Sequence, residues 1–281
     1  MGTTIFLALC GAVLIGAADV LGGVASRQRS AIAVSGWLHV VAFGAVVPVA
    51  IVRGAGSVSQ RDVLLGCACG LFDGISYTCY LAAIGRGRMA VVTPIVAGVG
   101  TGLPVLLSLA RGEHLPRLAL VGVAMAVLAI PVIAAAGEDA SVQNPWPLRR
   151  QVAVACFTGV GVGLYFFLMG QTASASGSWP VVVSLAIGSL VCVAWLAGQR
   201  VPLGPPTVAV ASVGLAAAAG DLALGASLQR GPVAIASVLG NLYPLVVALL
   251  AVVILHERIG RLQACGIAAG LAGVALLSVA A

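Results

Sequence analysis

The chain has 281 residues, of which 61% are hydrophobic and 8% are charged, with a mean hydropathy of +1.15. Soluble proteins carry about 25% charged residues, so this composition excludes a water-soluble globular protein and predicts an all-α integral membrane protein. The net charge of +6 comes entirely from arginines that stand singly or in pairs at the ends of apolar runs. Because no basic stripe is interleaved with aromatic residues, we expect a lipid bilayer and no nucleic acid as partner.

Ten apolar runs have about the 20 residues that a helix needs to cross a bilayer. The predicted spans are 3–25, 34–52, 62–85, 89–110, 117–136, 150–172, 178–198, 207–229, 232–255 and 260–280. The longest polar connection falls at the midpoint of the chain. We therefore predict a first five-helix repeat at 1–137, a linker at 138–149 and a second five-helix repeat at 150–281.

Residues 81–130 are repeated in residues 225–274 at an offset of 144. The matching pairs are Arg86-Gly87 with Arg230-Gly231, Ala90 with Ala234, Glu113 with Glu257, Arg117-Leu118 with Arg261-Leu262, and Gly122 with Gly266. With an odd number of spans in each half, the second half must enter the membrane from the opposite side. The sequence thus predicts two inverted repeats around a central cavity, an arrangement typical of secondary transporters.

Three aspartates lie inside apolar spans, where a charged side chain costs roughly 2.5–3.5 kcal/mol on insertion scales. Asp73 shares one helical face with Tyr77 and Tyr80, and we expect this face to line the cavity. A hydrogen bond to a neighbouring helix is the alternative for Asp73, and it is equally open for Asp19 and Asp221. A carboxyl group in such surroundings can exchange a proton, so Asp73 is also the candidate for coupling export to proton entry.

Polar residues on other spans are further candidates for the cavity: Tyr165, Asn241 and Tyr243. An asparagine in mid-span needs a partner, which is either a substrate amine or carboxylate or a group on another helix. His39 lies two residues after Trp37, and we expect it to be solvated at the membrane interface.

Glycines recur at spacings that favour close helix packing or bending. Gly66, Gly70 and Gly74 are spaced by four, which lets another helix backbone approach. Two further runs are expected to soften their helices during alternating access: Gly98, Gly100 and Gly102, and Gly159, Gly161 and Gly163.

An enzyme is the rival class. The pair His256-Glu257 is followed by Gly260 where a zinc protease needs its second histidine. The cysteines are interpreted as packing residues, and the sequence predicts no catalytic residue, metal or cofactor.

The stretch from Asn241 to Arg258, with Pro244 and a His-Glu-Arg turn, precedes a glycine-rich run at 263–273. It resembles the hallmark of EamA domains, which form the bulk of the drug/metabolite transporter superfamily. The first half carries a worn copy that departs from the pattern at two positions; its residues are Pro104, Gly112-Glu113-His114 and Gly122, with His114 in place of arginine and an extra Pro94.

The resemblance implies a ten-helix exporter of amino acids, nucleosides or other metabolites in the bacterial plasma membrane, with some members driven by protons. It also marks Glu113, Glu257 and Arg258 as a structural turn, either a helix cap or an ion pair, with gating as the alternative. The family's termini are cytoplasmic, whereas nine arginines on the opposite side against five on the terminal side favour the reverse orientation.

We therefore expect an exporter of a small amphipathic metabolite, such as an amino acid, that works by alternating access and is coupled to protons. Efflux of cationic drugs drawn to the three carboxylates is the alternative, and a channel or an intramembrane enzyme is less favoured. The substrate, the coupling ion and the oligomeric state do not follow from the sequence.

Overall fold

The computed structural model describes residues 2–87, 89–135, 146–200, 203–243, 246 and 261–280. These ranges contain ten α-helices, one short 3₁₀ turn and no strand. The helices are α1 (Gly2–Gln28), α2 (Ala31–Arg53), α3 (Gln60–Arg86), α4 (Met89–Ala110), α5 (Arg117–Ala135), α6 (Leu148–Met169), α7 (Trp179–Gln199), α8 (Val208–Leu228), α9 (Val233–Gly240) and α10 (Arg261–Ala280), with the 3₁₀ turn at Ser174–Ser176.

Nine of these helices begin and end within three residues of the predicted spans. Helix α9 covers only the start of the ninth predicted span, and 11 of the 24 residues of that span lie outside the described residues. Six helices in the described ranges (α1, α2, α3, α6, α7 and α8) are long and apolar enough to cross a membrane. Residues 136–145, which contain most of the predicted linker, also lie outside the description.

Local signals in the sequence set several helix ends. The hydroxyl of Ser59 accepts a hydrogen bond from the backbone N–H of Asp62 (3.1 Å) and so caps α3. Thr207 caps α8 in the same way through the N–H of Val210 (3.4 Å). Helix α2 ends at Gly54, whose φ of 66° is readily adopted only without a side chain.

The two halves pack mainly against each other. Helix α1 packs against α8 and α6 packs against α3, while α3 packs against α7 and α8 packs against α2. Helices α1, α2 and α3 are equivalent to α6, α7 and α8. The contact of α1 with α8 is therefore equivalent to that of α6 with α3, and the contact of α3 with α7 to that of α8 with α2. The helices of the two halves are therefore interleaved and are related by a pseudo-two-fold axis.

Equivalent helices in the two halves cross in antiparallel fashion. Gly36 near the start of α2 lies against Leu196 near the end of α7, whereas His39 further along α2 lies against Gly188, earlier on α7. Helices α4 and α9 show the same relation. Ala234 at the start of α9 bonds to Glu113, just after the end of α4, whereas Asn241, just after the end of α9, bonds to Gly100 near the middle of α4. Opposite directions of equivalent helices are what an inverted repeat requires.

Glycines allow α3 and α7 to approach closely, as predicted. A Cβ atom at Gly66 would lie 2.9 Å from the carbonyl oxygen of Pro180, and one at Gly70 would overlap the carbonyl of Ser184. Gly214, the equivalent of Gly70 at the offset of 144, does the same on α8, where a Cβ would lie 2.7 Å from Val41 of α2. The glycine pair thus marks two equivalent helix crossings.

The glycine run on α6 also lies at helix crossings. Gly159 lies against Val99 of α4, and Gly161 lies against Ser76 of α3. These glycines therefore serve close packing, and their predicted part in bending stays a prediction.

The connection between α6 and α7 is tied to the end of the bundle by a buried carboxylate. Asp62 is 1% exposed and accepts hydrogen bonds from the hydroxyl of Ser176 (2.6 Å) and the backbone N–H of Ala173 (3.3 Å). The side chain of Gln229 at the end of α8 donates to Thr172 Oγ1 (3.0 Å) in the same connection. These contacts close one end of the helix bundle.

Candidate functional site

A cavity lies in the middle of the bundle, between the two halves. All eight residues predicted to line a cavity do so in the structure: Asp19, Asp73, Tyr77, Tyr80, Tyr165, Asp221, Asn241 and Tyr243. Most of the remaining wall is apolar, with Ile15, Leu38 and Phe166 among its residues. The structure therefore brings the predicted residues together, while their binding of a substrate stays a prediction.

The cavity lies on the pseudo-two-fold axis. Ten of the lining residues form five pairs separated by 144 positions, namely Ala18 with Val162, Asp73 with Ala217, Tyr77 with Asp221, Tyr80 with Leu224, and Val96 with Gly240. Equivalent residues from the two halves can share one cavity only when that cavity lies at their common axis. Inverted-repeat transporters hold their substrates at this interface.

Asp73, at the midpoint of α3, is joined to His39 of α2. Its Oδ2 atom lies 3.2 Å from His39 Nε2, and the carboxylate side chain is 25% exposed whereas the imidazole is fully buried. His39 Nδ1 lies 2.8 Å from the carbonyl oxygen of Ser35. Because a carbonyl only accepts, Nδ1 carries a proton. The contact with Asp73 then needs one more proton, on either the imidazole or the carboxyl group.

The predicted solvated position of His39 is wrong. Its side chain is buried against α7, where Gly188 leaves room for the ring: a Cβ atom at Gly188 would lie 2.9 Å from His39 Nε2. Trp37 gave a misleading signal, since α2 begins at Ala31 and His39 is already more than two turns into the helix. Asp73 lies in mid-span and needs a hydrogen-bond partner, and this need could have identified His39 as a buried residue.

Asp19 is held by a residue of the same cavity. It is 2% exposed, and the hydroxyl of Tyr77 donates a hydrogen bond to its Oδ1 atom (3.0 Å). Both alternatives for this aspartate therefore apply, since it lines the cavity and bonds to a neighbouring helix. Asp73 likewise combines the two roles through His39.

Two residues of the cavity wall, Asp221 and Asn241, have acceptor atoms without a partner in the described part of the chain. Within the described part of the chain, Asp221 makes no hydrogen bond or ion pair, and it is partly exposed at the cavity. Asn241 is fully buried and donates through Nδ2 to the carbonyls of Ser237 (3.1 Å) and Gly100 (3.4 Å). Its Oδ1 atom has no partner among the described residues.

Aromatic rings surround these polar groups. The rings of Tyr77 and Tyr80 on α3 have centroids 5.9 Å apart, and those of Tyr165 and Phe166 on α6 are 6.0 Å apart. All four residues line the cavity. The cavity therefore offers aromatic faces and oxygen acceptors together.

Glu113 acts as a helix cap between the halves. Its Oε1 atom accepts a hydrogen bond from the backbone N–H of Ala234 (3.3 Å), in the first turn of α9. The helix that it caps belongs to the other half, and the predicted role of Glu113 in the structural turn motif stays a prediction. The other two residues of the predicted turn motif, Glu257 and Arg258, lie outside the described residues.

Comparisons with known proteins agree with this architecture. No curated protein matches the chain. A solved structure titled only as the crystal structure of a protein superposes with a TM-score of 0.78 at 16% sequence identity, over 99% of this chain and 97% of its own. At that identity the likeness shows the fold alone.

The EamA-like transporter family matches the chain twice, at residues 2–135 and 139–279. The two matches cover nearly the whole sequence, one in each half, and the family is one of membrane transporters. The chain is therefore a multi-pass integral membrane protein that belongs to the EamA-like transporter family.

Proposed function

We propose that this protein is a secondary transporter that exports a small amphipathic molecule across the bacterial plasma membrane by alternating access. In this proposal ten helices cross the bilayer as two inverted five-helix repeats. The observation that carries it is the cavity on the pseudo-two-fold axis, where polar residues meet inside an otherwise apolar bundle. Two halves that exchange conformations would open such a cavity first to one side and then to the other.

Proton coupling at Asp73 is the second part of the proposal. The contact between Asp73 and His39 holds an exchangeable proton, and Asp73 is also exposed to the cavity. A substrate that binds at Asp73 would displace this proton. Titratable groups from the surrounding helices face the same region, namely Asp19 on α1, Tyr77 on α3, Tyr165 on α6, Cys192 on α7 and Asp221 on α8.

Transport is tested with purified protein in proteoliposomes. A growth screen of overexpressing cells against toxic amino acids, nucleoside analogues and cationic dyes first selects a compound. We expect saturable counterflow of that compound, and we expect an imposed pH gradient to drive its flux. Single-channel conductance at ion-like rates without saturation would instead identify a channel.

The coupling site is tested by Asp73→Asn with Glu113→Gln as the matched control. The control also exchanges a carboxylate for an amide, but at the α9 cap away from the cavity. We expect Asp73→Asn to lose flux driven by the pH gradient and Glu113→Gln to keep it. Unchanged gradient-driven flux in Asp73→Asn would rule out Asp73 as the coupling site.

A further inference from the structure

We infer that the substrate is an organic cation, an amine that carries an aromatic or similarly apolar body. The inference rests on the proposed transport function and specifies the charge of the molecule that the cavity takes. Asp19, Asp73 and Asp221 line the cavity, whereas no arginine does so among the described residues, and the chain has no lysine.

His39 does not balance this excess of acidic groups. Its ring contacts Asp73, and one positive charge on it would offset one of the three carboxylates and leave two. Asp19 has the uncharged phenol of Tyr77 as its hydrogen-bond partner, and Asp221 has neither a hydrogen bond nor an ion pair within the described ranges. An uncompensated buried charge costs several kcal/mol, so either protons or a ligand cation must supply the missing positive charge.

Asn241 points to the same ligand independently. Two carbonyl oxygens accept from its Nδ2 atom, and this fixes the orientation of the amide. Asn241 lines the cavity, and its Oδ1 atom is then a buried acceptor without a donor in the described part of the protein. An orphaned buried acceptor costs about 1–3 kcal/mol, which an N–H group of a bound amine would recover.

The aromatic wall fits the rest of such a molecule. The rings of Tyr77, Tyr165, Phe166 and Tyr243 lie around the cavity, and aromatic faces attract cations and pack against apolar groups. A zwitterionic amino acid would bring a carboxylate among the three aspartates. On the described wall that carboxylate would find neutral donors such as phenol hydroxyls and no cationic side chain. The cavity therefore favours an amine over the amino acid that the sequence analysis placed first.

Matched probes test the charge without any variant. Phenethylamine, phenylalanine and 3-phenylpropionate share a phenyl ring and are respectively a cation, a zwitterion and an anion at neutral pH. Counterflow of each labelled probe is measured in proteoliposomes that contain the wild-type protein. We expect phenethylamine to exchange at least about tenfold faster than the other two, the factor that one charge-assisted contact provides.

Phenylalanine or 3-phenylpropionate exchanging faster than phenethylamine would overturn the cationic substrate class while leaving the transport function standing. No counterflow of the three probes, with saturable counterflow of the compound that the growth screen selects, would overturn the cationic substrate class alone. Absence of counterflow for that compound as well would overturn the transport function.

Variants then locate the charge. Asp221→Asn removes a carboxylate that has no ion pair in the described ranges, with little change in shape, and we expect about tenfold lower phenethylamine counterflow. Asp221→Glu keeps the charge and should keep most of the flux. Glu113→Gln, outside the cavity, should match the wild type. Each protein is first shown to elute as a single folded species. Equal flux in Asp221→Asn and the wild type would contradict the assignment.

Discussion

Helices α3 and α8 occupy equivalent places in the two halves, yet they contribute different chemistry to the cavity. Where α3 has Asp73 and Tyr77, α8 has Ala217 and Asp221. The acidic group is thus displaced by one helical turn between the halves. At their crossings with the opposite half, by contrast, Gly70 and Gly214 have the same packing role. The scaffold is symmetric and the cavity wall is not, so a bound molecule meets different groups on its two sides.

The largest effect is expected from substituting the equivalent glycines at the two helix crossings. Gly70→Ala would drive a Cβ atom into the backbone of α7, and Gly214→Ala would drive one into the Val41 side chain of α2. We expect each change to cost about 3 kcal/mol, the upper end of the usual range for overpacking, and to lower the melting temperature in detergent. Gly98→Ala is the control, because a Cβ there would meet no atom of the described residues within 4 Å. Equal melting of all three variants would contradict equivalent crossings.

Moving a carboxylate from one half to the other tests the asymmetry of the cavity wall. Asp73→Ala should lower phenethylamine counterflow by about tenfold or more, because a charged contact is lost. Adding Ala217→Asp restores a carboxylate on the cavity wall, at the position in the second half that is equivalent to Asp73. We expect partial recovery of the KM for the amine. Ala217→Asn in the same background adds an amide without charge, and recovery with it would argue against electrostatic binding.

The hydrogen bond between Tyr77 and Asp19 has no counterpart in the second half, since Asp221 stands at the position equivalent to Tyr77. Tyr77→Phe removes the donor and leaves the buried Asp19 without it. We expect a loss of about 1–3 kcal/mol in stability, measured by thermal unfolding in detergent. Tyr165→Phe removes a hydroxyl that makes no hydrogen bond within the described residues and serves as the control. Similar melting of both variants would show that the contact contributes little.

The smallest effect is expected at the cap between the halves. Glu113→Ala removes the acceptor for the Ala234 N–H and should cost about 1 kcal/mol, whereas Glu113→Gln keeps an oxygen at this position. Thermal unfolding distinguishes the two variants. A loss in Glu113→Gln as large as that in Glu113→Ala would show that the negative charge, rather than the hydrogen bond, stabilises α9.

The sequence predicted the helices well because a bilayer imposes one length on every span, and α4 begins and ends where its apolar run does. It also predicted the cavity face of α3, because the high cost of Asp73 in lipid and the helical period both constrain that face. Contacts between distant helices did not follow. The burial of His39 depends on the absence of a side chain at Gly188, and the partner of Glu113 lies 121 residues away.

The interleaving of the halves has a consequence for biosynthesis. Helix α1 packs chiefly against α8, and 180 residues separate Gln28 from Val208. At translation rates of about 5–20 residues per second, α1 waits about 10–40 s in the membrane before its partner emerges. During that interval the glycine-bearing surface of α1 is covered by lipid or by an insertion factor. Each half should therefore be degraded when it is produced alone, and two separately encoded halves should assemble when they are produced in the same cell.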